Sequence, residues 1–209
     1  MSTRDVQAID VHAHVGRYRG SGSAMLDRFY SGGPEVVIGR ARRANTRLSV
    51  VSSLRALLQR LGGAPIRGNR ETAKLVAGHA EFLQWVVVDP LKPETYQQAE
   101  TMLKSPKTAG IKVHPEEHGY PIRKHGKKIF EFAERVGAIV QSHSGEKNSL
   151  PEDFLPFAND FPTVNILVSH LGCGWDGDLT HQVRAIGKCR HGNMYTATSS
   201  AKSMVPHLL

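Results

Sequence analysis

Short runs of β-branched and apolar residues recur along this chain. Between them, apolar positions return every three or four residues, the period of a helix with one buried face. The strand-like runs are residues 7–12, 48–52, 83–88, 110–114, 138–141, 164–169 and 193–197. Helices are predicted over residues 34–45, 69–79, 93–103, 127–136, 151–159 and 179–188, with Pro34 and Asn69 at two of the expected starts. Strands alternating with helices imply parallel pairing through right-handed crossovers. Runs such as Trp85-Val86-Val87-Val88 are apolar throughout, as in strands buried on both faces. A doubly wound open sheet and a closed barrel both satisfy this pattern.

The strand ends separate the two. His114, His143, His170 and Thr198 stand at consecutive strand ends, 27 to 29 residues apart, one strand–helix unit each. In a barrel all carboxyl ends open onto one mouth, where side chains from many strands converge, whereas the outer strands of an open sheet cannot share one site. No G-x-G-x-x-G or phosphate-loop pattern follows the first strand. The expected fold is α/β, a (β/α)8 barrel of the TIM type, in a single domain over residues 1–209. Counting units gives about seven, with residues 199–209 starting the next helix, so an eighth strand is expected beyond Leu209 and the barrel is expected to be truncated. Such a barrel leaves open edges at its first and seventh strands, and a homo-oligomer is one way to cover them.

Composition narrows the class without changing it. Hydrophobic residues at 40 % and charged residues at 22 % fit a soluble globular protein. No apolar run approaches the roughly 18–20 residues of a membrane span, and the first residues lack a signal-peptide pattern. A cytoplasmic location and no membrane partner are expected. Two cysteines, Cys173 and Cys189, imply no disulfide framework. The net charge of +8 is spread over scattered arginines and lysines with no aromatic-rich basic patch, so no nucleic-acid partner is expected. It reads as a solvated basic surface, with a site for an anionic substrate as the second reading.

Candidate chemistry centres on histidine. Asp10-Val11-His12-Ala13-His14 closes the first strand, and residues two apart face the same side, so these three side chains should point together into the barrel. Two neutral imidazoles at that spacing can bind one divalent metal at about 2.0–2.1 Å each. With 11 histidines in 209 residues such a pair arises by chance roughly 0.6 times, so the motif needs context. Ser142-His143-Ser144-Gly145 and Ser169-His170-Leu171-Gly172 supply it, one strand–helix unit apart, each with a glycine that lets the backbone turn at the barrel mouth. His12, His14 and His143 are candidate metal ligands. The plain alternative is neutral histidines bonded to strand-end carbonyls. Asp10 is a candidate for orienting a ligand histidine.

In order along essentially the whole chain stand Asp10–His14, then Gly110-Ile111-Lys112-Val113-His114-Pro115, then His143, then His170-Leu171-Gly172. This set resembles the amidohydrolase-related family that includes the aminocarboxymuconate-semialdehyde decarboxylase-like enzymes. The resemblance implies a metal-dependent enzyme with one divalent ion, zinc first and manganese second, held by His12, His14 and His143. It implies that His170 binds metal or contacts the reacting group as a catalytic residue. His114 would line the substrate site, and Lys112 would be a buried, paired lysine rather than a carboxylated bridge between two metals. The family's aspartate after strand eight has no match, and Tyr195-Thr196-Ala197-Thr198-Ser199 stands where relatives carry Tyr-x-Asp-x-Ser. The implied reaction is hydrolysis of a small organic substrate by metal-activated water. Non-oxidative decarboxylation is the alternative, and a catalytically inactive fragment is the third reading. His118, His125, His181, His191 and His207 are read as surface residues. Trp175 and Asp176, just past His170, read either as the edge of a lid or as a plain loop.

Overall fold

The computed structural model describes residues 6–171 and 173–199. Gly172 of the His170-Leu171-Gly172 motif, His207, and the helix expected beyond Ser199 lie outside the described residues. Seven strands, β1 (Ala8–Val15), β2 (Thr46–Ser53), β3 (Phe82–Val87), β4 (Thr108–Val113), β5 (Ile139–Ser142), β6 (Ile166–Val168) and β7 (Met194–Thr196), form one sheet in sequence order. Every pairing is parallel. Among the described residues there is no eighth strand, and β1 and β7 are the edges.

Longer helices alternate with the strands: α2 (Pro34–Arg43), α4 (Pro65–Ala77), α5 (Glu94–Met102), α7 (Ile122–Val136), α8 (Pro151–Asp160) and α9 (His181–Lys188). Three short ones, α1 (Ala24–Tyr30), α3 (Leu54–Leu57) and α6 (Pro115–His118), sit in loops after strands. The hydrophobic period did not reveal these, because four to seven residues are too few to display it.

Side-chain bonds across the sheet show that it curls. Neighbouring strands lie about 4.8 Å apart, so a flat sheet would hold β5 roughly 19 Å from β1. Instead Gln141 of β5 donates to the Val11 carbonyl of β1 at 3.1 Å, and Trp85 Nε1 of β3 donates to the same carbonyl at 2.9 Å. The architecture is a (β/α)-barrel of which seven strands lie among the described residues.

The two faces of the curled sheet differ in kind. Outward, Val86, Ile111, Val113, Val140, Ile166 and Val168 bury against Phe130, Phe154 and Ala185 of the surrounding helices. Each such side chain contributes about 1.5–3 kcal/mol on full burial. Inward, Trp85, Lys112 and Gln141 are buried together. Gly110 makes room for them: a Cβ there would lie 2.7 Å from the Trp85 ring and 2.5 Å from the Ile139 carbonyl oxygen.

One expected cap is overturned. Asn69 lies inside α4, which begins four residues earlier with Pro65 at its first turn. The buried Asn69 amide instead brackets Val87, donating to its carbonyl at 2.8 Å and accepting from its N–H at 2.9 Å. No helix among the described residues is long and apolar enough to cross a membrane.

Candidate active site

The carboxyl ends of β1, β4, β5 and β6 bring together the residues singled out from sequence. His12 and His14 lie on β1, where the pairing with β2 slips between Asp10 and Ala13, a local irregularity that re-aims side chains. His12 Nδ1 lies 2.6 Å from Ser199 Oγ, and its Nε2 lies 3.1 Å from Lys112 Nζ, which β4 sends into the interior. His14 Nδ1 is 2.8 Å from Ser52 Oγ at the end of β2. His114 accepts from the Glu117 N–H at 3.3 Å, capping α6, and its ring stacks on His143 at 4.0 Å. His143 Nδ1 and His170 Nε2 are 3.0 Å apart, and His170 Nδ1 lies 3.0 Å from the Ser199 carbonyl.

His170 carries the clearest strain in the site. Its φ of 67° is left-handed, a conformation costing an L-residue about 1–2 kcal/mol. Its carbonyl accepts from Gln182 Nε2 at 2.8 Å and from the Cys173 N–H at 3.0 Å, which holds the turn. Strain of this kind persists where the surroundings over-determine it, commonly at functional sites.

Burial sets the protonation of the cluster. Burial, with Lys112 nearby, drives His14 down to about 3 and His12 and His114 well below 6.5. Burial and the neighbouring His143 lower His170 to about 4. Lys112 itself, fully buried, falls to about 7. His12, His14, His114 and His170 are therefore neutral at pH 7, with lone pairs to offer.

These rings open onto a cavity of about 550 Å3. Leu54, Leu57 and Leu58 form an apolar wall, with Tyr18, Tyr30 and Trp175 at other points on the lining. Two carboxylates reach it. Glu117 is bound by Arg60 at 2.5 Å, whereas Glu146 Oε2 lies 3.4 Å from His143 Nε2 and is half exposed. The facing His143 holds the Glu146 carboxyl below its ordinary value. Sequence reasoning missed Arg60, Glu117, Glu146, Ser52 and Ser199. Ser52, at a predicted strand end, and Glu146, three residues past His143, carried a signal of position; Arg60 carried none.

Several expectations change. Asp10 is exposed, and its Oδ1 accepts from the His12 backbone N–H at 2.9 Å rather than from a ring; the hydroxyl of Ser199 takes the ring position. His118 and His181, expected at the surface, are buried at 7 % and 5 % exposure. Their helices pack inward through the faces that carry them, a tertiary fact that lone histidines in short polar segments do not announce.

The set suits a divalent ion in donor chemistry: neutral imidazoles, and a buried His143 Nε2 that makes no hydrogen bond and has only the long 3.4 Å approach of Glu146 Oε2. As the side chains stand, no three histidine, cysteine, aspartate or glutamate groups among the described residues surround a common point. The reason is visible in the contacts, since His12 Nε2 faces Lys112 Nζ while His143 and His170 face each other. Sharing an ion requires these side chains to turn.

The amidohydrolase family model matches residues 9–201, nearly the full length, and the chain belongs to that family. Among solved structures, a zinc-bound amidohydrolase from Burkholderia multivorans is 14% identical, with 94% of this chain and 72% of that one covered at a TM-score of 0.63. An uncharacterised TIM-barrel protein from Bordetella bronchiseptica is 12% identical, with 93% and 76% covered and a TM-score of 0.64. The 4-oxalomesaconate hydratase of Rhodopseudomonas palustris is 13% identical, with 92% and 74% covered and a TM-score of 0.58. At such identities these likenesses are of fold. No protein of curated function matches the sequence.

Proposed function

We propose that this chain is a metal-dependent hydrolase acting on a small organic substrate, with His12, His14 and His143 holding one divalent ion, zinc or manganese. The observation that carries it is the meeting of five imidazoles from four parallel strand ends at the wall of one cavity. A divalent ion bound there supplies a polarised substrate carbonyl and a water of lowered pKa. Ser52 and Ser199 hold the outer nitrogens of His14 and His12, which orients the rings and selects their tautomers. His170, neutral and held by its strained turn, spends its Nδ1–H on the Ser199 carbonyl and so presents Nε2 as a lone pair, able to bind the ion or to accept a proton. Glu146 is the cavity carboxylate left without an arginine partner, and so the group available to accept a proton. The leucine wall gives the cavity an apolar side for the body of an organic substrate. The zinc seen in the Burkholderia multivorans structure supports the choice of metal for a related fold.

Metal content per chain, measured on the purified protein and on a His12→Ala/His14→Ala variant, tests this. About one ion per chain is expected, absent from the variant. Folded protein that takes up no metal after reconstitution sinks the proposal.

A further inference from the structure

Behind the cavity, a second buried histidine sits in surroundings unlike those of the first cluster. His181, at the first turn of α9, places Nδ1 2.8 Å from Glu152 Oε2 on α8. Its Nε2 lies 3.0 Å from Asp176 in the loop after β6. Arg184, one turn further along α9, reaches Glu152 at 3.0 Å and Asp178 at 2.5 Å, and its Nη2 lies 3.0 Å from His181 Nδ1. Thr180 also binds Asp178, at 2.7 Å. Among the described residues, the charged groups around the ring are thus Glu152, Asp176, Asp178 and Arg184: three carboxylates against one guanidinium.

The loop so held borders the cavity. Residues 173–180 carry Gly174 and Trp175 in the cavity wall, and the Trp175 N–H donates to the Gly145 carbonyl at 2.9 Å. Gly174 has no space for a Cβ, which would run into the Asp178 carbonyl, so the loop is folded tightly on itself. Gln182, beside His181, bonds the strained His170 carbonyl at 2.8 Å. Movement at the start of α9 therefore reaches both the wall and the site.

We propose that residues 173–180 form a pH-sensitive flap on the cavity, latched while His181 is protonated between Glu152 and Asp176 and released when His181 is neutral. An imidazolium offers two N–H donors, one for each carboxylate. A neutral imidazole has only one, so one carboxylate loses its ring donor; when Nδ1 is the bare nitrogen, Arg184 Nη2 at 3.0 Å becomes its donor and the direct Glu152 bond is lost. The α9 dipole disfavours a cation at its first turn, so the carboxylates do the holding. Burial opposes the charged form of His181, but Asp176 and Glu152 outweigh it and raise the pKa above 6.5. The latch is therefore complete below pH 6.5 and lost as pH rises through the folded-state value. The device stands apart from the proposed hydrolase activity, because its test uses neither metal nor turnover.

Tryptophan emission followed from about pH 5.5 to about pH 9 tests the latch, since Trp175 is exposed on the loop and the one other tryptophan, Trp85, is buried in the barrel. The wild-type chain should show a transition with a midpoint above 6.5, and Trp175→Phe should abolish it. His181→Gln should lack the transition, and Glu152→Gln, a milder change, should lower the midpoint by about one unit or more. A flat wild-type profile overturns the proposal. So does a transition that survives in Trp175→Phe or His181→Gln, or one that Glu152→Gln leaves in place.

Discussion

Imidazoles are withdrawn from solvent at the barrel mouth and again behind the cavity, and the surroundings of these two regions push them in opposite directions. At the barrel mouth His12, His14, His114 and His170 crowd around one another and around Lys112, and among the described residues no carboxylate bonds any of these four rings; Glu146 instead approaches His143. Burial, with the nearby lysine and histidines, drives each towards the neutral form. Behind the cavity His181 is buried, with 5 % of its surface exposed, yet Glu152 and Asp176 flank both ring nitrogens and favour its charged form. Burial alone does not decide what a histidine does. Its immediate partners do: the first group keeps lone pairs for a ligand, while the second spends both nitrogens on cross-links.

The two regions should therefore respond to pH in opposite senses. The largest expected effect lies in the metal-free protein below neutrality. His14 and His170 have folded values of about 3 and about 4, so their stabilisation is full above 6.5 and is lost as pH falls. Between pH 6.5 and pH 4.5 the two together should remove on the order of 5 kcal/mol by linkage. Urea midpoints across that range would show it, and a stability flat with pH would break the comparison. His181→Gln should act the other way. It should cost about 1–3 kcal/mol at pH 6, where two charge-assisted hydrogen bonds are lost, and less at pH 8.5, where the wild type has also lost them. An equal cost at both pH values would mean that His181 packs rather than latches. The smallest effect belongs to Ser199→Ala, which removes a single partner of His12 and should cost about 0.5–1.5 kcal/mol. That variant should also weaken metal uptake without abolishing it, the behaviour of a group that orients a ligand.

Much of this molecule was legible in its sequence. Among the described residues, the seven strands, six of the nine α-helices and the choice of a barrel followed from hydrophobic period and from histidines recurring at strand ends. His12, His14, Lys112, His114, His143 and His170 meet as their places on successive strand ends required. Other features were hidden because their partners are distant in the chain. Asn69 looks like a helix start, but its amide is taken up by Val87, 18 residues on. Glu117 and Arg60 pair only because two loops after different strands meet at the mouth.

Sequence by itself determined the period, order and direction of the elements and the chemical type of the cluster, because these are set by local pattern and by which strand end each residue occupies. The tertiary structure alone decided which nitrogen faces which partner. Curling the sheet brings Ser199 to His12 across 187 positions and Lys112 to the same ring across 100, and packing α8 on α9 closes two carboxylates around His181. Protonation depends on burial and on neighbours within a few ångströms, and neither exists until the chain has folded.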